Sequence, residues 1–136
     1  LKTKRFKYSP SSSASYPHKK VGEFLRASSY KNYRIYQEYP VNKINPSFRD
    51  GRCKFDWVIL DLRVVIEVMG AQHYKPTYWS KSTTQEEAET RYQEIIYRDG
   101  IKKKAAEEIG FVYIVIDAND VDTISEDWFA SQIMRR

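Results

Sequence analysis

The chain has 136 residues, 41% hydrophobic and 30% charged, the proportions of one soluble globular domain long enough to bury a single core. No apolar run approaches the length needed to span a bilayer, and the basic, Ser-rich start has no apolar stretch of the secretory-signal kind. A single cysteine, Cys53, excludes an internal disulfide, argues against a structural zinc site and fits a reducing interior.

The net charge of +5 is unevenly spread. Residues 1–20 hold Lys2, Lys4, Arg5, Lys7, Lys19 and Lys20 and no acid, a balance of +6, while the other 116 residues balance at −1. Residues 1–17, with Ser-Pro, a run of serines and Tyr-Pro, read as an extended basic arm on a nearly neutral body. Such an arm suits contacts with nucleic-acid phosphates, and it equally suits a solvated leader. The 11 tyrosines include Tyr30, Tyr33 and Tyr36 interleaved with Lys31 and Arg34. These fit base stacking or the outer face of a strand. A chain beginning at Leu1 is expected to be a piece of a longer protein.

From His18 onward Val21, Phe24, Leu25 and Ser28 recur at helical spacing. Tyr33 to Val41 reads as a strand, and 42–53, with Asn-Pro and Asp-Gly, as a loop. Lys54–Leu60 and Val64–Met69 are nearly continuous apolar strands joined at Asp61–Arg63, which places them centrally in a covered sheet. Residues 71–84 form a polar and aromatic loop. A long helix follows from Glu86 to about Ile109, capped by Gly110, then a strand over Phe111–Ile116 and a short helix from Ser125. The order is α-β-β-β-α-β-α in one domain over 18–136. The class is α/β (α+β), a mixed central sheet with helices on both faces.

Four polar residues stand where a core would put something else. Asp56 and Glu67 interrupt the two apolar strands, and His73 follows the second across a Gly-Ala-Gln turn. Asp99 lies on the helical stripe expected to face the sheet, with Tyr92, Ile95, Ile96, Lys102, Lys103 and Ala106 around it. Burying unpaired carboxylates is costly, so their convergence calls for metal ions, mutual pairing or water. Taken singly, each has an ordinary explanation: a turn cap, an edge strand facing solvent, a loop histidine, a helix break at Gly100.

The segment Phe55-Asp56-Trp57-Val58-Ile59-Leu60, with Val65-Ile66-Glu67-Val68-Met69-Gly70-Ala71-Gln72-His73-Tyr74 after it, resembles the core of the PD-(D/E)xK nuclease superfamily. More narrowly it resembles the branch of very-short-patch-repair endonucleases and phage homing endonucleases with the EDxHD motif. The similarity covers residues 18–117. Glu23 matches the motif's first position, Asp56 the second, His73 the third and Asp99 the fourth. The resemblance implies a restriction-endonuclease-like fold and Mg²⁺-dependent hydrolysis of double-stranded DNA, with Mn²⁺ able to substitute. It implies a phage-infected bacterial cytoplasm or a similar DNA-containing compartment. Met69 stands where the superfamily's usual lysine would be, and His73, or Lys102 or Lys103, is the expected replacement. One cysteine cannot build the zinc site of the repair enzymes, which favours the homing-type branch.

On this resemblance Asp56 binds the metal. The second ligand depends on register: the backbone carbonyl of Val68 if Asp61–Arg63 is a three-residue turn, Glu67 if pairing shifts by one. His73 is the proton-transfer group, Asp99 its orienting partner, Glu23 a holder of outer waters and Gln72 a supporting residue. Lys2, Lys4, Arg5, Lys7, Lys19, Lys20, Arg49 and Arg52 are the expected DNA contacts. Competing readings are a non-catalytic nuclease-fold module binding DNA or RNA, and a mismatch-repair or structure-specific nicking enzyme. Monomer and dimer both stay open, as do the target sequence and the choice between a nick and a double-strand break.

Overall fold

The computed structural model describes residues 15–135. Helix α1 (Tyr16–Ala27) is followed by strand β1 (Ile35–Pro40), a short helix α2 (Val41–Ile44), and strands β2 (Lys54–Ile59) and β3 (Val64–Met69). The long helix α3 (Gln85–Glu108), strand β4 (Val112–Asp117) and helix α4 (Glu126–Ile133) complete the order. The fold is mixed α/β, with one four-stranded sheet ordered β1-β2-β3-β4. The first two pairings are antiparallel and β3–β4 is parallel. The apolar strands β2 and β3 are therefore central. No helix among the described residues is long and apolar enough to cross a membrane.

Two apolar layers cover the sheet. Val21 and Leu25 of α1 and Phe129 of α4 pack with Trp57, Ile59, Ile66 and Ile114 on one face. Val41 of α2 and Ala105 and Ala106 of α3 pack with Phe55, Val58, Val65 and Tyr113 on the other. Cys53 is buried in this second layer.

Local chemistry sets the ends of the helices. Ser15 accepts a hydrogen bond from the His18 N–H and Pro17 occupies the first turn, a favoured helix start. The helix thus already includes Tyr16 and Pro17, two residues that the expected arm over 1–17 had claimed. Thr84 and Glu87 form a reciprocal capping box at the start of α3, satisfying two otherwise unpaired N–H groups. At its end Gly110 has φ +82°, its N–H donates to Glu107 O, and Phe111 N–H reaches back to Ala106 O. That pairing needs a left-handed residue, which glycine supplies without strain.

Several boundaries differ from the sequence reading for identifiable reasons. The expected loop over 42–53 begins with most of α2, where Val41 and Ile44 turn toward α3 and buried Asn45 donates to Ala105 O at 2.9 Å. The stripe of Tyr92, Ile95 and Ile96 does not lie flat on the sheet, and Ile96 is 41% exposed. A 24-residue helix extends about 36 Å and a six-residue strand only about 20 Å, so the first half of α3 overhangs. The β2–β3 connection is a 3₁₀ turn at Leu60–Leu62 closed by left-handed Arg63, one residue longer than the three-residue turn considered.

Strand β1 carries the other backbone irregularity. Gln37 pairs with Trp57 and Tyr39 with Phe55, and Glu38 between them has φ +47°, uncommon for a residue with a Cβ. Phe55 and Trp57, two apart on β2, should share a face, yet they belong to opposite layers. The ladder is therefore kinked at Glu38 and Asp56. Glu38→Gly is expected to keep stability or raise it by up to about 1 kcal/mol, and Glu38→Val to lower it by about 1–2 kcal/mol, in urea denaturation. A valine variant as stable as the wild type would mean that the kink does not depend on this residue.

Candidate active site

The kink leads directly to the chemistry. The paired register of β2 and β3 ends at Trp57 and Ile66, and its continuation sets Glu67 opposite Asp56. The shifted register is the one adopted. Beyond this point side chains take over from the backbone: Asp56 N–H donates to Glu67 Oε2 at 3.4 Å, and Val68 N–H donates to Asp56 Oδ2 at 2.8 Å. N–H and C=O of one strand residue point the same way, so the Val68 carbonyl also lies on the Asp56 side.

The two carboxylates border a cavity of about 380 Å³, whose walls also include Val68, Gln72, His73, Lys102 and His18. Glu67 is buried and ion-paired through Oε1 to Lys102 Nζ, and the two side chains are only 4% and 11% exposed. Lys102 also lies over the Phe55 ring, 5.7 Å from its centre. Burial first, then the neighbouring Asp56 carboxylate, push the Glu67 carboxyl up to about 8, outweighing the pull of Lys102. Met69, in the position of the superfamily's usual lysine, is buried in the apolar layer. The cation in the cavity comes from α3 instead.

His73 sits in the 3₁₀ turn Ala71–His73 after β3. Its Nδ1–H donates to Asp99 Oδ2 at 2.7 Å, with the side chains 19% and 23% exposed. With Asp99 ionised and accepting, the neutral ring carries its proton on Nδ1 and offers the Nε2 lone pair as an acceptor. Helix α3 runs unbroken through Gly100 and brings Asp99 and Lys102, three apart, to the same end of the sheet.

Asp56, Glu67, His73 and Asp99 therefore meet, with Val68, Gln72 and Lys102 beside them. Glu23 does not join them: it lies on the exposed side of α1 and pairs with Lys20 at 3.5 Å. The residues of α1 that line the cavity are Pro17 and His18. Lys103 is exposed, one step around α3 from Lys102. Of the expected DNA contacts, Lys2, Lys4, Arg5 and Lys7 lie outside the described residues. Lys19 is half-buried on α1, and Lys20 is engaged with Glu23 and Asp122. Arg49 lines a separate groove beside α3, and Arg52 faces Asp50. Tyr30 packs on Phe129 and Arg34 is held by Asp61 at 2.9 Å, while Tyr33 and Tyr36 are exposed.

The sequence reading missed two residues. His18 reads from the sequence only as the first residue of a helix. The Tyr113 hydroxyl is buried with no hydrogen-bond partner among the described residues. Burial, with Glu67, Asp99 and Asp56 nearby, pushes its pKa up, so it stays a neutral donor. A tyrosine inside an apolar strand was the available signal.

Among the described residues no cluster of three or more Asp, Glu, His or Cys side chains could hold a metal ion. What is present is two crowded carboxylates and a backbone carbonyl. That set fits Mg²⁺, which keeps several waters and takes only one or two carboxylates. The difficulty of ionising Glu67 beside Asp56 is one that a divalent cation would relieve. A second groove, of about 400 Å³ and lined by Tyr74, Asp117, Asp120 and Trp128, has carboxylates without a cation among those walls and is unsuited to phosphate.

The Glu67 shift carries a pH dependence. Below its ordinary value of 4.5 the group is protonated folded and unfolded alike. As pH rises toward about 8 the unfolded chain ionises first, so the stability of the metal-free fold falls across this window. With EDTA present, the melting temperature of the wild type is expected to fall more steeply from about pH 5 to about pH 8 than that of Glu67→Gln. Equal slopes would remove the buried, reluctant carboxyl from the picture.

Comparison with protein-family models and with curated proteins finds no match.

Proposed function

We propose that the protein is a divalent-metal-dependent DNA endonuclease of the PD-(D/E)xK superfamily, in the branch of very-short-patch-repair and EDxHD homing endonucleases. The observation that carries this reading is the His73–Asp99 pair at 2.7 Å on a cavity that also holds Asp56, Glu67 and Lys102. A structural ion pair does not need an imidazole with one nitrogen fixed and the other turned to a polar cavity. A hydrolase does. The element order, with a mixed sheet between two helical layers, is compatible with the restriction-endonuclease-like fold.

Asp56, Glu67 and the Val68 carbonyl would hold Mg²⁺ or Mn²⁺. The bound ion supplies electrostatic stabilisation of the charge that builds on the scissile phosphate. The remaining work belongs to side chains. His73 Nε2 accepts a proton from the water that attacks phosphorus. Asp99 keeps the ring in the required tautomer and stabilises the imidazolium that forms. Lys102 adds positive charge where the phosphate oxygens lie, the duty left vacant at Met69. Lys2, Lys4, Arg5 and Lys7, outside the described residues, are the expected phosphate contacts of this reading. Their contribution is affinity, and it is salt-dependent.

Cleavage of supercoiled plasmid tests this reading. Mg²⁺ is expected to support nicking or linearisation, with EDTA or Asp56→Asn abolishing it. His73→Ala is expected to slow cleavage about 100-fold or more while DNA affinity changes little. Undiminished cleavage by His73→Ala would remove the dyad, and no cleavage with any divalent metal would leave a non-catalytic binding module.

A further inference from the structure

We propose that His18 is the second proton-transfer group of this site, the acid that protonates the leaving oxygen. The proposal rests on the nuclease reading above and extends it to a residue outside the motif. His18 occupies the first turn of α1 and lines the same cavity as Asp56, Glu67 and His73. Its ring is stacked on the buried Trp57, 4.7 Å between centres and 24° between planes. Nε2 lies 3.3 Å from Gln37 Oε1, and with Nε2–H donating to that oxygen the other ring nitrogen, Nδ1, is the one left for proton transfer. As an acid the ring acts in its imidazolium form, and the proton it gives up is the one on Nδ1. Stack and hydrogen bond together hold the imidazole in one orientation, the condition for efficient transfer.

The placement of the two histidines matters more than their number. α1 packs against the sheet face that carries Trp57 and Ile114, whereas His73 is tied to α3, which covers the opposite face. The imidazoles thus approach the carboxylate end of the sheet from opposite layers. Displacement at phosphorus is in line, with the attacking and leaving oxygens on opposite sides of the phosphorus. A base on one layer and an acid on the other match that requirement. In the step, the water oxygen bonds to phosphorus and loses a proton to His73 Nε2. The bond from phosphorus to the leaving deoxyribose oxygen breaks, and that oxygen takes the Nδ1 proton of His18. Solvent then restores both rings.

The test uses an ordinary DNA and the same DNA with sulfur replacing the leaving bridging oxygen at the mapped cleavage position. Both are cut in single turnover with Mn²⁺, which tolerates sulfur. A thiolate leaves without needing a proton. His18→Gln is expected to cut the ordinary DNA about 100-fold or more slowly and the sulfur-containing DNA within a few-fold of the wild-type rate. His73→Gln is expected to be slow on both. Melting curves identify a folded variant, and His18→Asn replaces His18→Gln if the latter unfolds. A folded His18 variant that is equally slow on both substrates, or slow on neither, overturns the proposal and leaves the nuclease reading standing. Wild-type protein that cuts neither DNA overturns that reading itself.

Discussion

Two carboxylates face each other across the central strands, and much of the molecule answers that fact. Water solvates Asp and Glu far better than a sheet interior does, and two adjacent negative charges raise the cost further. Here each carboxylate accepts from the backbone of the opposite strand, Glu67 from Asp56 N–H and Asp56 from Val68 N–H. The backbone ladder yields at that level, and the kink at Glu38 accompanies the change of face between Phe55 and Trp57. Lys102 comes in from α3 to pair with Glu67, yet burial and Asp56 still hold that carboxyl near 8. On the proposed reading a divalent ion, held by both carboxylates, would convert that repulsion into attraction.

The same constraint explains the long helix. Asp99 and Lys102 must reach opposite partners, His73 and Glu67, from adjacent positions on one face, which a three-residue helical spacing provides. A break at Gly100 would separate them. The capping box at Thr84 and the Gly110 terminus fix where α3 begins and ends, and so where Asp99 and Lys102 fall against the sheet.

Much of the site was legible because its residues violate their surroundings. Asp56 and Glu67 interrupt apolar strands, and a carboxylate in such a run has to be paired or useful. Asp99 was placed by helical period, although the stripe that identified it is less buried than the period suggests. The choice between Val68 and Glu67 opposite Asp56 depended on one residue of turn length, which the left-handed Arg63 decides. Period-two alternation cannot resolve that when both faces of the strands are apolar. Helix α2 is four residues long, too short to show a period. Glu23 rested on the motif match alone, since on the helical period it points away from the stripe of Val21, Phe24 and Leu25. Tyr-Pro was read as the end of an arm, although Ser15 followed by Pro17 is a helix start. That start also brings Pro17 to the cavity wall beside His18.

The most direct measurement is calorimetric titration of metal-free protein with Mn²⁺ near neutral pH, in two buffers of different ionisation enthalpy. Carboxylates that await a cation predict saturable binding to a single site, with release of the proton that Glu67 retains, and loss of both in Asp56→Asn. No binding at millimolar Mn²⁺, or binding that Asp56→Asn leaves unchanged, would contradict the assignment of this cavity as a metal-dependent centre.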